Sequence, residues 1–457
     1  MRTRSIRNAV FATLLLFCLL IGTLSISAKE DSLLEPPDTA MAKAAYLYNF
    51  ESDRAIVNQN PLIRISPAST VKIATGLLAI EHLSDRLDEI ITVEPHMLLP
   101  TGGTVIGLRA GDRLSIRDLL YASLCGGYND ATNILACLVS GSVTAFVQQL
   151  NDRVMTWGCQ ETHYTNPTGM DESDMYTILD DVIVLSKRAI QTPLYMTVTS
   201  AISYSFSLQN REETMLIYNR NALISPYYYQ GCQSKYAKGL IAGMTDGGGY
   251  CVATYAEYAG SRYLCIVMGA LGNSQGIPNS FALAYRLLQY AYLNCVYIPI
   301  ANAGDVICEA TVRLALPKDK EGVATVPCVL RNDLHALLPK DTTAEDLSFR
   351  SYLHQDVLEA PVKAGQVLGG VDVYYGDTWV CHAKLVAAEE VQPNTILITL
   401  DNMKQVFFSR AGIISVIAFV LLTALYLLCE RHRRRKNTTR LDFRVSHNQK
   451  PPKPPRS

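Results

Sequence analysis

From Ala411 to Cys429 the chain carries no charged residue, and Arg431, His432, Arg433, Arg434, Arg435 and Lys436 follow almost at once. As a helix rising about 1.5 Å per residue, this run reaches roughly 29 Å, the hydrocarbon thickness of a bilayer. The basic run assigns its own end to the cytoplasm by the positive-inside rule. A second apolar run, near Ala9 to Leu24, lies behind Arg2, Arg4 and Arg7 and ahead of Ser25, Ser27 and Ala28. That is the layout of a secretory signal peptide over residues 1–28. Cys18 lacks the preceding small residues of a lipidation site. Both ends are thereby withdrawn from any soluble core, leaving about 370 residues outside the membrane, enough for two domains. The tail, 430–457, is basic and rich in proline, with Pro451, Pro452, Pro454 and Pro455. It is too polar to bury a core, and disorder is the expectation there.

Lysine and arginine total 41 against 42 acidic residues. No long basic patch lies outside the tail, which argues against nucleic acid as a partner. The 12 cysteines contain no CxxC and no zinc-type spacing, so no metal is implied. Cys251 and Cys265 fall inside apolar strand patterns and read as small core residues; the spacing leaves disulfide pairing open.

Between the two apolar ends the texture changes once. Ala44 to Asn49 reads as an opening strand. Val71 to Leu83 is an apolar helix, and Arg117 to Gly126 and Ala131 to Leu138 read as further buried helices. Gly249 to Glu257 and Arg262 to Ala270 read as strands joined by Tyr258-Ala259-Gly260-Ser261, a hairpin signal. Phe281 to Asn294 is an apolar helix. Beyond Cys295, strand-like runs alternate with turn residues at Val306 to Leu316, Gly322 to Leu330, Val367 to Tyr375 and Trp379 to Ala387. This second part, 296–400, is expected to be an all-β sandwich, and the first, 35–295, a sheet covered by helices.

Pro67-Ala68-Ser69-Thr70-Val71-Lys72 opens the first apolar helix. Positions i and i+3 share a helix face, so the Lys72 amine can sit beside the Ser69 hydroxyl. The helix N-terminus disfavours a nearby positive charge and helps keep the amine neutral. A serine needs such a base to act as a nucleophile. In this context the chain resembles the low-molecular-weight penicillin-binding proteins, the D-alanyl-D-alanine carboxypeptidases. The likeness runs through Tyr46, the stretch from Ile106 to Asp112, Asp118 to Ala122, and Asn129-Asp130-Ala131. It continues through Asn166-Pro167-Thr168-Gly169, Gly239 to Thr245, and Ala360 to Gln366. It implies an α+β fold of the penicillin-binding-protein/β-lactamase-like serine transpeptidase type, with a C-terminal β-sandwich and a membrane anchor.

Three catalytic motifs are implied. Ser69 and Lys72 keep the first intact, as nucleophile and general base. The second, ordinarily Ser-x-Asn, reads Gly127-Tyr128-Asn129: Asn129 remains to hold substrate, while the relay hydroxyl is gone. Ser123 is its nearest serine in sequence. The third, ordinarily Lys-Thr-Gly on an inner strand, reads Ile241-Ala242-Gly243, without the cation and hydroxyl that meet the substrate carboxylate. Lys238 lies three residues earlier and on a strand points to the opposite face. Gly243 still permits close backbone approach, and the N–H groups of Ser69 and Met244 would form the oxyanion hole. Thr168 and Met175 stand where the family often carries histidine. A lost charged partner costs roughly 2–5 kcal/mol, and a lost proton relay about 10²–10⁴-fold in rate.

The resemblance therefore implies a serine-type carboxypeptidase acting on peptidoglycan stem peptides and open to β-lactams, with impaired turnover and no cofactor. The alternative is a non-catalytic cell-wall-binding or scaffold relative. A β-lactamase-like hydrolase fits the C-terminal module and anchor less well.

Overall fold

A computed structural model of the protein describes residues 34–272, 277–316 and 324–445. The expected signal segment 1–28, with Cys18, and the proline-rich end of the tail lie outside the described residues. The strand expected at Ala44–Asn49 is β1, buried on both faces, as a central strand between two layers must be. It is followed by β2 (Arg54–Gln59), the short β3 (Ile90–Thr92) and β4 (Arg113–Ser115), and β5 (Ser203–Ser207) and β6 (Thr214–Tyr218). Then come β7 (Ala237–Thr245), β8 (Gly249–Tyr258) and β9 (Ser261–Ala270). β3/β4 and β5/β6 are separate ribbons, while the main sheet is antiparallel in the order β2-β1-β9-β8-β7. Its β8/β9 turn has Ala259 and Gly260 at φ +50° and +83°, the left-handed pair that a tight hairpin requires. β7 is left at the sheet edge.

The helix Val71–Leu83 is apolar nearly all round, and only Glu81 and His82 reach solvent freely. Such a helix belongs in a core. It packs on one sheet face with the helices Asn129–Ser140, Val143–Thr156 and Leu179–Ile190; the last two were not marked in the sequence reading. The opposite face is covered by the helix Asn279–Asn294 through Leu283, Leu287, Leu288 and Ala291. The helix expected from Arg117 to Gly126 is interrupted. Ser115 and Asp118 form a capping box at the start of Ile116–Leu120, and the chain then widens into a π-turn, with Gly126 N–H donating to Tyr121 O at 3.0 Å.

The later chain forms β10 (Cys295–Ala301), β11 (Val306–Arg313), β12 (Ala324–Leu330), β13 (Leu334–Pro339), β14 (Leu347–Leu353), β15 (Val357–Glu359), β16 (Val367–Tyr375) and β17 (Thr378–Ala387). β10 pairs with β13, and the remainder make a six-stranded sheet in the order β14-β16-β17-β12-β11-β15. The expected β region to residue 400 stops short. Asn394 accepts from the N–H groups of Ile396 and Leu397 and caps the helix Thr395–Phe408. The apolar run 411–429 lies in the helix Arg410–Val445, of which Arg410–Arg434 is long and apolar enough to cross a bilayer. The tail expected to be disordered from residue 430 is helical to Val445. Lysine and arginine are good helix formers, and Glu430 pairs with Arg434 one turn on at 2.8 Å.

Two compact units result. Of the described residues, one holds those up to Ala301 together with Leu334–Phe349 and Val373–Cys381; the other holds those within Asn302–Asp333 and Arg350–Asp372 and those from His382 on.

Candidate active site

All of the candidate site lies in the first unit. Ser69 sits in a single 3₁₀ turn, Ala68–Thr70, that leads straight into the helix Val71–Leu83. The turn is set by two tight contacts. Ala68 is fully buried with φ +44°, a left-handed conformation that costs a non-glycine residue about 1–3 kcal/mol. Its carbonyl lies against Gly169, where a side-chain Cβ would stand 1.9 Å from the oxygen. On the other side Gly243 of β7 approaches Ser69 so closely that a Cβ there would meet Ser69 Oγ at 2.1 Å. Glycine at 243 is thus required by geometry.

Lys72 is buried, with 1% of its surface exposed. Its Nζ donates to Asn129 Oδ1 and to Thr168 O, each at 2.8 Å. Burial first, and then the charge of Arg220, push the amine down to about 7. A neutral amine has two N–H groups and one lone pair. Asn129 and Thr168 take the two N–H groups, which leaves the lone pair for a proton. Ser69 Oγ and Lys72 Nζ share no hydrogen bond among the described residues.

The partners of Lys72 are themselves held. Asn129 Nδ2 donates to Gly102 O at 2.7 Å. The Asp130 carboxylate accepts from the N–H groups of Ile106, Gly107 and Leu108 and fixes the loop that carries Gly102. Asn166 Oδ1 accepts from the N–H groups of Thr168, Gly169 and Met170, and Pro167 O accepts from Thr75 Oγ1 on the nucleophile helix. Thr168 contributes its carbonyl to the site; its hydroxyl is turned to Asn166. Met175 is buried, with its sulfur 3.6 Å from Asn166 Nδ2.

Around Ser69 opens a cleft of about 210 Å³. Gly127, Asn129, Thr168, Ala242, Gly243 and Met244 line it. So does Arg220, which the sequence reading missed. The guanidinium carbon lies 4.1 Å from the ring centroid of Tyr228, and Nε donates to Gly126 O at 3.1 Å. The flanking asparagines hold the segment: Asn219 donates to Thr199 O and Ala201 O, and Asn221 to Gly239 O. Two asparagines bracketing an arginine, in a stretch without helix or strand period, were the only sequence signal.

A family profile described as D-alanyl-D-alanine carboxypeptidase matches residues 31–272, and one described as penicillin-binding protein 5, C-terminal domain, matches 298–393. The chain belongs to the D-alanyl-D-alanine carboxypeptidase family. It is 25% identical to the Bacillus subtilis D-alanyl-D-alanine carboxypeptidase DacF over 82% of this chain and 94% of that protein. To the Salmonella typhimurium carboxypeptidase DacD it is 26% identical, over 80% and 90% of the two chains. In fold it is similar to the D-alanyl-D-alanine carboxypeptidase DacD of Francisella tularensis, with a TM-score of 0.63 at 21% identity over 80% of this chain and 97% of that one. It is likewise similar to penicillin binding protein 5 of Haemophilus influenzae, with a TM-score of 0.58 at 23% identity over 79% and 99%.

The positions where this chain departs from the family pattern can now be located. Gly127 has φ +71°, and a Cβ there would stand 3.2 Å from Arg220 Cγ. Ser123 is fully buried on the π-turn, with its hydroxyl 2.8 Å from Thr132 Oγ1, and does not line the cleft. Ile241 is 2% exposed and packs in the core that holds the nucleophile helix; the wall expected at Ile241 and Ala242 is therefore lined by Ala242 alone. Met244 stands at the cleft mouth, 48% exposed. Lys238 is ion-paired with Glu257 and does not line the cleft.

Proposed function

We propose that this protein is a membrane-anchored penicillin-binding protein that forms an acyl-enzyme at Ser69 and turns it over slowly. The observation that carries the reading is the buried Lys72 amine, with both N–H groups engaged and its basicity lowered into the neutral range beside a cleft-lining serine. The ligand is a peptidoglycan stem peptide ending in D-alanyl-D-alanine, or a β-lactam. Its carboxylate meets Arg220, the cation of the cleft in a chain without the family's strand lysine. Ser69 Oγ attacks the carbonyl carbon of the penultimate residue, and the hydroxyl proton passes to Lys72. The N–H groups of Ser69 and Met244 face the developing oxyanion.

The next step is where Gly127 matters. Release of D-alanine requires a proton on the departing nitrogen. No hydroxyl at 127 relays it, so Lys72 must return it unaided before water attacks the ester. A β-lactam leaving group stays tethered and ring opening is driven by strain, so acylation by a penicillin depends less on that relay. The second reading, a binding protein without turnover, draws support from the same Gly127 and from the burial of Ile241. The helix Arg410–Arg434 serves as a single-pass anchor, with the folded units outside and the basic tail in the cytoplasm.

Intact-mass measurement after exposure to a penicillin, with D-alanine release measured in parallel, tests the reading. A stoichiometric adduct on Ser69 with slow D-alanine release is expected. No adduct on folded protein would leave the binding reading in its place.

A further inference from the structure

Cys308 on β11 and Cys328 on β12 stand directly opposite each other in the antiparallel register. Directly opposed residues present their side chains on one face, with Cα atoms about 4.5 or 5.5 Å apart according to the pair class. Both separations fall within the roughly 4.4–6.8 Å that a disulfide accepts. The inner face of this strand pair runs Val312/Ala324, Ala310/Val326, Cys308/Cys328, and Cys328 is fully buried with Ala310 and Val326 beside it in the register. Cys308 is close enough to raise the Cys328 thiol, and no disulfide joins the two in this structure.

We propose that Cys308 and Cys328 are a redox-active pair that closes to a cross-strand disulfide by exchange with a small-molecule or protein disulfide. Cys308 is the partly exposed member. It loses its proton and attacks one sulfur of the donor, expelling one thiol and leaving a mixed disulfide. Cys328 then attacks the Cys308 sulfur, the cross-strand bond forms, and the second donor thiol departs. Two protein thiols are oxidised by two electrons, one donor disulfide is reduced to two thiols, and these carry off the two protons. Burial, and next the nearby Cys308, push the Cys328 thiol up to about 12, which makes Cys308 the first attacker. The bond ties the chain between 308 and 328 into a closed loop and restricts the unfolded state. An extracytoplasmic location would supply the oxidising setting, but the pairing does not depend on the chemistry of Ser69.

The test is to equilibrate the full-length protein in detergent micelles across a series of reduced and oxidised glutathione mixtures. Acid quenching, alkylation under denaturing conditions and peptide mapping follow. The expectation is that Cys308 and Cys328 lose alkylation together, by at least about tenfold at the oxidising end. Their peptides should then be cross-linked, and the melting temperature should rise on oxidation and fall back on reduction. Cys308→Ser should melt at a temperature indifferent to the glutathione ratio. Full alkylation of both cysteines throughout, a persistent glutathione adduct on Cys308, or a cross-link of Cys328 to another cysteine would each overturn the proposal. Because the oxidant is supplied in the tube, these outcomes say nothing for or against the proposed location or turnover.

Discussion

The two walls of the cleft have been treated differently. On the Ser69 wall, Lys72 donates to Asn129 and Thr168, which accounts for both N–H groups of a neutral amine, and Asn129 is held in turn by Gly102 O. On the β7 wall, Ile241 has sunk into the core, Ala242 offers only a methyl group, and Gly243 survives because Ser69 leaves no room for anything larger. The contrast separates two tasks. Under the proposed function, making a nucleophile depends on the first wall, while capturing a carboxylate and protonating a leaving group depend on the second wall and its surroundings.

The largest expected effect attacks the assembly itself. Ser69→Ala should abolish the penicillin adduct. Gly243→Ala should come close to it, because the new Cβ meets Ser69 Oγ at 2.1 Å; intact mass reads both. A Gly243→Ala protein that acylates at the wild-type rate would show that the walls are not in contact in solution.

Next is the base. Lys72→Met should slow acylation by about 10²–10⁴-fold. In the wild type the neutral amine is the active form, so the acylation rate should rise with pH through about 7 and level off above it. The sign for stability follows from the same shift. The folded amine titrates below its unfolded value, so between those two values the unfolded chain binds more protons, and stability increases with pH across that window.

Arg220 tests whether the second task has moved to a new residue. Arg220→Leu should weaken capture of carboxylate-bearing ligands by about 1.5–3 kcal/mol, roughly 10–150-fold. It should also move the inflection of the acylation profile to higher pH, since its charge is the second cause of the lowered Lys72 value. A ligand with its carboxylate amidated should bind wild type and variant alike. Equal loss of both ligands would mean that Arg220 only supports the loop around Tyr228.

Restoring the relay is expected to help. A relay hydroxyl contributes at least about 10²-fold, near 2.7 kcal/mol. Gly127→Ser must place a side chain at φ +71°, with its Cβ 3.2 Å from Arg220 Cγ, and a left-handed serine costs about 1–2 kcal/mol. D-alanine release should rise by about 10²-fold, with penicillin acylation unchanged and the strain read as lost stability of about 1–2 kcal/mol. A gain in both reactions alike would break the assignment of Gly127 to leaving-group protonation.

What the sequence made legible follows the same division. Ser69 and Lys72 are local: one turn of one apolar helix brings them together, and β1, β8, β9 and β16 stood out as short apolar runs bounded by turn residues. Asn129 was visible as the remnant of a motif. Arg220 was not, because its place depends on Asn219 and Asn221 reaching Thr199, Ala201 and Gly239 from a stretch with no periodicity. The Thr168 contribution was hidden for another reason: its carbonyl, not its side chain, meets Lys72. Ile241 was read as cleft lining from its place in the third motif; on β7 it alternates with Ala242, and its side chain packs in the core on the other face. The π-turn before Gly127 was missed because it hangs on a backbone bond that residue types alone do not specify; the helix past Asn394 was missed although Asn394 is an N-cap residue.

The smallest expected effect concerns the pin between the walls. Asp171 accepts from Ser66 Oγ at 2.7 Å, just ahead of the nucleophile turn, and from Thr245 Oγ1 at 2.8 Å and Gly247 N–H at 2.7 Å at the end of β7. Burial alone would raise its carboxyl, but these hydrogen bonds outweigh it and hold the group below its ordinary value. A carboxylate depressed in the folded state adds stability that is complete above its unfolded pKa and fades as pH falls through the folded one. Asp171→Asn keeps an acceptor but loses the charge, so the cost should be only about 1 kcal/mol near neutral pH. The melting temperatures of wild type and variant should converge as pH is lowered through the acid range. Convergence would mark Asp171 as a charge-assisted tie between an intact wall and a stripped one. A constant gap down to acid pH would assign the loss to altered packing and leave the two walls independent of each other.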